Sequence, residues 1–530
     1  MKKITRFPFI FILGTSLIFN ACTKLDETVY DQVLDSNFKP TAGDIPAILA
    51  PVYTVLRPME AAWYGNFDLQ EESADQIVTP VRPNGWYDGG VYNRMHLHEW
   101  NETQGQPNQL WSLCYRGINT ANRVIYQIES GIVPITTGKE NVIAELKAAR
   151  AFYYYNLLDN HGNVPLVTDF QDASLPKQST RQEVYDFVVK EFTDNIPLLS
   201  ENADKTTYGR FNKWAAKAIL AKVYLNAGVY TGVSQWDKCL QECNDIIAAA
   251  PGRYILESNY KAPFVTENQN SKELILAVPY DEIQATEFSI HMKTLDPVMQ
   301  KVYKMTAQPW GGNCAVPQFI DTYDPQDTRL KDTWIYGPQY DATTGAMLIN
   351  FTKNVDGISL AGSNQGYRIG KYEIKMGARG GLSTDYPLVR YADILMMKAE
   401  SLLRKGDADA AALIVTEVRQ RAFASTNPSK ATVTGAQLLM GSSYKYGIWS
   451  NGMVTEYQGG DDIMYGRFLD ELGWEFAAEG RRRQDIIRFG VFTTKKWFNH
   501  KSSADYKTIF PIPENERSKN PNLKPNPGYQ

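Results

Sequence analysis

Cysteine and histidine are scarce, with five of each in 530 residues. So few thiols in so long a chain cannot form a disulfide scaffold. Long apolar runs are also missing, since no segment reaches the roughly 18 uninterrupted apolar residues of a membrane-spanning helix. Lys and Arg number 55 against 59 Asp and Glu, a net charge of −4, and no long basic run is present. That balance argues against nucleic acid as the main partner. The nucleophile and phosphate-cradling motifs G-x-S-x-G and G-x-x-x-x-G-K-[ST] do not occur. At 43% hydrophobic residues the chain is globular rather than disordered. What it holds in quantity is aromatic: 31 Tyr, 22 Phe and 11 Trp. Those rings either fill a helical core or form stacking platforms for a ligand.

The N-terminus sets the compartment. Lys2, Lys3 and Arg6 precede an apolar run from Phe7 to Phe19, too short to span a bilayer, and the run ends at Asn20-Ala21-Cys22. A small residue followed by cysteine and then by polar Thr23, Lys24, Asp26 and Glu27 resembles a bacterial lipoprotein signal. The reading is a signal peptide over 1–21, lipidation of Cys22 and a mature domain over 22–530. Loss of three cations takes the net charge from −4 to −7. The exported protein is then acidic and held to a membrane by lipid alone. Of the other cysteines, Cys239 and Cys243 stand at i,i+4 with no further ligands nearby, the pattern of buried free thiols rather than a metal pair.

Helical periodicity runs through 107–130 (Trp111, Ile118, Ala121, Val124, Ile125, Ile128) and 140–160 (Val142, Leu146, Ala149, Phe152, Tyr153, Leu157), an antiparallel pair. A second pair covers 181–199 and 211–227, with Thr180 and Glu183 spaced as a capping box. Ala221-x3-Leu225-x2-Gly228 recurs as Ala399-x3-Leu403-x2-Gly406, each followed by another amphipathic helix. This is the logic of tetratricopeptide-type pairs, with both glycines expected as left-handed helix stops. The helical scaffold is expected over about 107–250, 386–423 and 464–490. Between these lie loop-rich stretches at about 60–106, 252–385 and 424–462, long enough to be functional.

Ordered segments then carry a family resemblance. Arg150-Ala-Phe-Tyr-Tyr-Tyr-Asn-Leu-Leu158, Asn212 to Gly228, Pro387 to Glu400, Glu475-Phe-Ala-Ala-Glu-Gly480 and the tail from Phe510-Pro-Ile-Pro513 to Asn526-Pro-Gly-Tyr529 together resemble the SusD/RagB family of Bacteroidetes lipoproteins. The resemblance implies a mainly α fold of tetratricopeptide-like helix pairs, with the irregular insertions forming a glycan-binding face. It also implies a cell-surface, outer-membrane protein that captures an oligosaccharide or a peptide for a SusC-like TonB-dependent transporter, with no cofactor and no enzymatic activity.

Catalytic readings are thin. Glu475 and Glu479, at i,i+4, could be paired carboxylates, but Arg482 and Arg483 beside them point to helix-surface salt bridges. His96 and His98 with Glu99 could hold a metal if they alternate along a strand, yet further ligands are lacking. Asp461 and Asp462 read as a solvated acidic turn rather than a calcium site.

Sugar rings need flat aromatic faces for their C–H surfaces and polar groups for their hydroxyls. Trp86, Tyr87 and Asp88 in Arg82-Pro-Asn-Gly-Trp-Tyr-Asp-Gly-Gly90 supply that mixture, as do Trp310 and Asn313 in Trp310-Gly-Gly-Asn313. Asp75 is a further hydrogen-bonding candidate, with an N-cap or loop-bracing role as an equal alternative, and Trp334, Tyr336 and Tyr92 are weaker ones. Trp111, Trp214 and Trp474 fall at core positions of helices. The rival readings are a peptide binder on the same scaffold, a helical glycan hydrolase with two carboxylates across a cleft, and a structural adaptor with no small ligand.

Overall fold

The computed structural model describes residues 41–83 and 85–530, so the leader and Cys22 lie outside the described residues. The first periodic pair becomes α1 (Gly105–Glu129) and α2 (Lys139–Asn160). The second becomes α3 (Arg181–Asn195) and α4 (Lys213–Leu225). At the start of α3, Thr180 Oγ1 accepts the Glu183 N–H at 3.2 Å while the Glu183 carboxylate accepts the Thr180 N–H at 2.7 Å. Asn212 caps α4 by accepting the Ala215 N–H at 2.8 Å. Caps of this kind are worth about 1 kcal/mol each and fix where a helix begins. The series continues through α5 (Trp236–Ala249), α6 (Tyr391–Arg404) and α7 (Ala408–Phe423), followed by α8 (Gly466–Phe476) and α9 (Arg482–Arg488). Helix α1 packs on α2, α2 on α3, α4 on α5, α5 on α6 and α6 on α7. The architecture is the mainly α, tetratricopeptide-like one expected.

Phe152, Tyr153, Trp214, Tyr224, Tyr391 and Trp474 are all buried in this scaffold, as is Trp111. Each fully buried ring contributes about 1.5–3 kcal/mol through apolar area removed from water, so most of the aromatic excess is structural. Cys114, Cys239, Cys243 and Cys314 are buried free thiols.

Two helix-end expectations need correction. Gly406 closes α6 with a φ of +92°, but Gly228 is not a stop. Helix α4 ends at Leu225, the chain makes a further turn over Ala227–Thr231, and Gly232 closes it with a φ of +78°. Glu475 and Glu479 do not share a helix, because α8 ends at Phe476 and Ala478 takes a φ of +60°. Both acids are buried. Glu475 pairs with Arg390 at 2.8 Å, Arg421 at 2.5 Å and Arg329 at 3.2 Å, while Glu479 pairs with Arg390 at 2.8 Å and with Lys371. Arg482 is drawn instead to Asp75, and Arg483 donates to the Thr508 carbonyl at 2.6 Å. The carboxylates are structural, as expected, but inside the protein.

The irregular stretches are held by short antiparallel pairings. Leu274–Val278 pairs with Tyr386–Arg390, fastening the start of α6 to the 252–385 insertion. Ile77–Val78 pairs with Cys314–Ala315 in the register Ile77 to Ala315 and Val78 to Cys314. That short ladder brings together loops more than two hundred residues apart. The tail is anchored too, since Asn526 Nδ2 donates to the carbonyls of His161 at 2.6 Å and Phe510 at 2.9 Å.

Candidate functional site

The Ile77–Val78 ladder delivers the 85–90 loop to the 310–313 loop, and the Trp86 N–H donates to the Trp310 carbonyl at 2.8 Å. Buried Arg82 clamps the junction, donating to the carbonyls of Gly312 at 3.1 Å and Gly362 at 2.6 Å. Gly312 is required here, because a Cβ at that position would lie 2.7 Å from Trp86 Cε3. The two predicted tryptophans therefore meet, with ring centroids 5.7 Å apart and planes at 51°.

A third indole joins them. Trp63 lies 6.3 Å from Trp86 and 6.2 Å from Trp310, tilted by 71° and 54°, and it is 47% exposed, whereas the other two are half-buried. Asp88 sets its orientation by accepting from Trp63 Nε1 at 3.3 Å and from the Tyr64 hydroxyl at 2.7 Å. On the other side, Gln109 of α1 donates to the Trp63 carbonyl at 2.9 Å. Tyr87 is exposed at the rim. The result is three mutually tilted indoles with one face open to solvent and carboxylate, phenol and amide groups around them. Such a surface can stack on a sugar ring and hydrogen-bond its hydroxyls. Trp63 lies in the loop-rich 60–106 stretch but was not among the candidates. The aromatic pair against glycine in Trp63-Tyr64-Gly65 is the signal that marks it.

Two predicted polar contacts are corrected. Asp75 is buried and bound by Arg482 at 2.6 Å and the Tyr446 hydroxyl at 2.8 Å, so it braces the scaffold. Asn313 is also buried, donating to Glu72 Oε1 at 3.0 Å beneath the indoles. Neither offers a ligand any surface. Trp334 is buried, and Tyr92 is a buried support whose ring lies 4.5 Å from Trp86. Tyr336 is exposed, stacked on Tyr367 at 4.7 Å away from the indoles.

His96 ends a short helix, Val91–His96, and His98 has a φ of +56°, so the two do not alternate along a strand. Both are buried. His98 is held between the Ser73 carbonyl and Ser503 Oγ at 2.9 Å each, and burial pushes His96 down to about 3. Among the described residues no group of three or more His, Cys, Asp or Glu side chains is placed to hold a metal. Asp462 pairs with Lys495 at 2.6 Å.

Two family models match. One, described as "Starch-binding associating with outer membrane", covers residues 25–225, and the other, described as "SusD family", covers residues 272–503. The chain belongs to the SusD/RagB family. Among relatives of this SusD/RagB member, the starch-binding protein SusD of Bacteroides thetaiotaomicron is 26% identical over 438 residues, 73% of this chain and 72% of that protein. SusD-like protein P25 of Formosa agariphila is 21% identical and covers 97% of both chains. Among solved structures, a laminarin-binding SusD-like protein superposes with a TM-score of 0.71 at 22% identity, over 93% of this chain and 100% of that one. A SusD homologue from Bacteroides thetaiotaomicron superposes with a TM-score of 0.70 at 19% identity, over 93% and 98%. These superpositions establish the fold.

Proposed function

We propose that this SusD/RagB member is a carbohydrate-binding protein of the cell surface, lipid-anchored at Cys22 to the outer membrane and facing outward. It captures an oligosaccharide on the indole cluster and passes it to a SusC-like TonB-dependent transporter. The observation that carries the reading is the convergence of Trp63, Trp86 and Trp310 from two distant insertions, with Trp63 held open by Asp88. Trp86 and Trp310 rest on the core with one side, and the face they share with Trp63 suits the C–H surfaces of pyranose rings. The starch-binding and laminarin-binding relatives support a glycan as the ligand class. The function is binding rather than catalysis. Glu475 and Glu479, the carboxylate pair considered for hydrolysis, are consumed by buried arginines and Lys371.

The test is affinity electrophoresis of the mature domain against a panel of soluble glucans, galactans and mannans, with peptide pools as a control. Wild type is expected to be retarded by at least one glycan, and Trp63→Ala to lose most of that retardation with an unchanged melting temperature. Binding of peptides alone, or glycan binding indifferent to all three tryptophans, would sink the reading.

A further inference from the structure

A large concavity lies away from the indoles. It is a groove of about 1410 Å³ between the outer face of α1, the 165–179 loop and the C-terminal Glu514–Lys519 turn. Its walls are tied to the scaffold. Tyr115 donates to the Pro165 carbonyl at 2.8 Å, Asn122 to the Val167 carbonyl at 2.9 Å and Asn520 to the Pro176 carbonyl at 2.8 Å. The volume exceeds the roughly 300–1,000 Å³ of pockets for compact small molecules and suits a stretch of polymer.

One stripe of α1 lines this groove and leads back to the indoles. Ser112, Arg116, Asn119 and Arg123 recur at helical spacing on its exposed face, and Gln109, one turn earlier, holds the Trp63 carbonyl. From Gln109 to Arg123 the stripe runs about 21 Å along the helix. Among the described residues Arg116 and Arg123 have neither a carboxylate partner nor a side-chain hydrogen bond, and the same holds for Lys177 on the opposite wall. The three acids of the groove keep their charge but are tied down locally, and its four cations, Arg116, Arg123, Lys177 and Lys519, outnumber them. Asp169 accepts the Gln171 N–H at 2.8 Å, Asp172 accepts the Ser174 N–H at 2.9 Å, and Glu516 pairs with Lys519 at 3.1 Å. Exposed Phe170, packed 5.8 Å from Tyr126, adds an aromatic face beside Arg123.

We propose that this groove is a second binding segment for an acidic polysaccharide, continuing the chain seated on the indoles and reading its carboxylates or sulfates with Arg116 and Arg123. The two arginines leave the helix two turns apart, a rise of about 10.5 Å along the axis, a spacing that suits charges on alternate sugars. The inference rests on the carbohydrate-binding reading and narrows its substrate class from glycans in general to long, anionic ones.

Isothermal titration of the mature domain with polygalacturonate, a sulfated galactan, a neutral β-glucan and polyglutamate tests it, each at several salt concentrations. Arg116→Gln with Arg123→Gln should weaken binding of one or both acidic polysaccharides at least tenfold. It should also flatten the salt dependence by about two released ions, and leave the melting temperature unchanged because both side chains are exposed. Trp63→Ala should weaken the same polymers without altering that salt dependence. Glycan binding that the double variant leaves intact, with neutral glucan preferred, overturns the acidic groove and spares the indole site. Polyglutamate binding lost in the double variant, with no acidic glycan bound, overturns it in favour of a peptide groove. If wild type binds none of the glycans, both readings fall together.

Discussion

Asp68 and Lys293 form an ion pair in which neither side chain reaches solvent. Asp68 also accepts the Tyr64 N–H and the Tyr92 hydroxyl, each at 2.9 Å, while the Lys293 carbonyl accepts the N–H groups of Gly312 at 2.8 Å and Asn313 at 3.0 Å. The pair therefore fastens the segment bearing Trp63 to the segment bearing Trp310, 225 positions separating its two members. Lys293→Met would leave Asp68 charged, buried and unpaired, at a cost of about 3–5 kcal/mol. Combining it with Asp68→Asn should recover much of that loss, because the aspartate charge goes with it. Urea denaturation of the three proteins measures both effects, and a single variant within about 1 kcal/mol of wild type would show that the pair is dispensable.

Asp88 orients two rings at once, and its role is separable from its charge. Removing its oxygens by Asp88→Ala frees Trp63 and Tyr64 and should weaken glycan binding by about 1 kcal/mol, roughly fivefold. Both rings donate to the same oxygen, Asp88 Oδ2, so Asp88→Asn keeps an acceptor for the two of them and should restore most of the affinity. Equal losses in both variants would instead indicate that a carboxylate contacts the ligand itself.

Much of the scaffold was legible because helical periodicity and capping are local. Trp111, Trp214 and Trp474 sit at core spacing and are buried, and the Thr180 box closes as its spacing implies. The site was half legible. Trp86 and Trp310 stood out because aromatic rings in glycine-rich loops lack a helix face to bury against, yet nothing local reveals that the two loops meet. The two readings of Asp75, ligand contact or brace, stayed open for the same reason, since its partner Arg482 lies 407 positions later and decides its burial. Glu479 was misread because Ala478 turns left-handed where the sequence alone continues a helix.

Glu72 makes stability fall as pH rises from about 4 to about 8. Burial, aided by the nearby Asp68 carboxylate, pushes its carboxyl up to about 8, while Thr79 donates to it at 2.9 Å and Asn313 at 3.0 Å. A pKa raised above the unfolded value of about 4.3 means that the folded state keeps a proton the unfolded state has lost. Its contribution is full below about pH 4 and drains away as pH rises toward 8. Glu72→Gln stays neutral throughout, so its melting temperature should exceed wild type by more at pH 8.5 than at pH 6. The histidines act in the opposite sense. Burial pushes His96 and His161 down to about 3 and His291 to about 4, so their contribution is full above the unfolded value of about 6.5 and is lost on acidification. A difference between Glu72→Gln and wild type that does not change with pH would refute the proton-linked account.

Gly312 tests whether the indoles depend on backbone closeness. An added Cβ would lie 2.7 Å from Trp86 Cε3 and 2.8 Å from the Lys293 carbonyl oxygen, and the carbonyl cannot yield without moving the buried pair beneath it. The ring must therefore shift. Gly312→Ala should cost about 1–3 kcal/mol of stability, as overpacking does, and should reduce glycan affinity with an altered tryptophan emission. Gly380→Ala is the control, because its Cβ would meet nothing nearer than Ala307 at 3.8 Å. If Gly312→Ala binds glycan as wild type does while losing stability, the position of Trp86 is irrelevant to the ligand, and Trp63 must carry the contact with Trp310 alone.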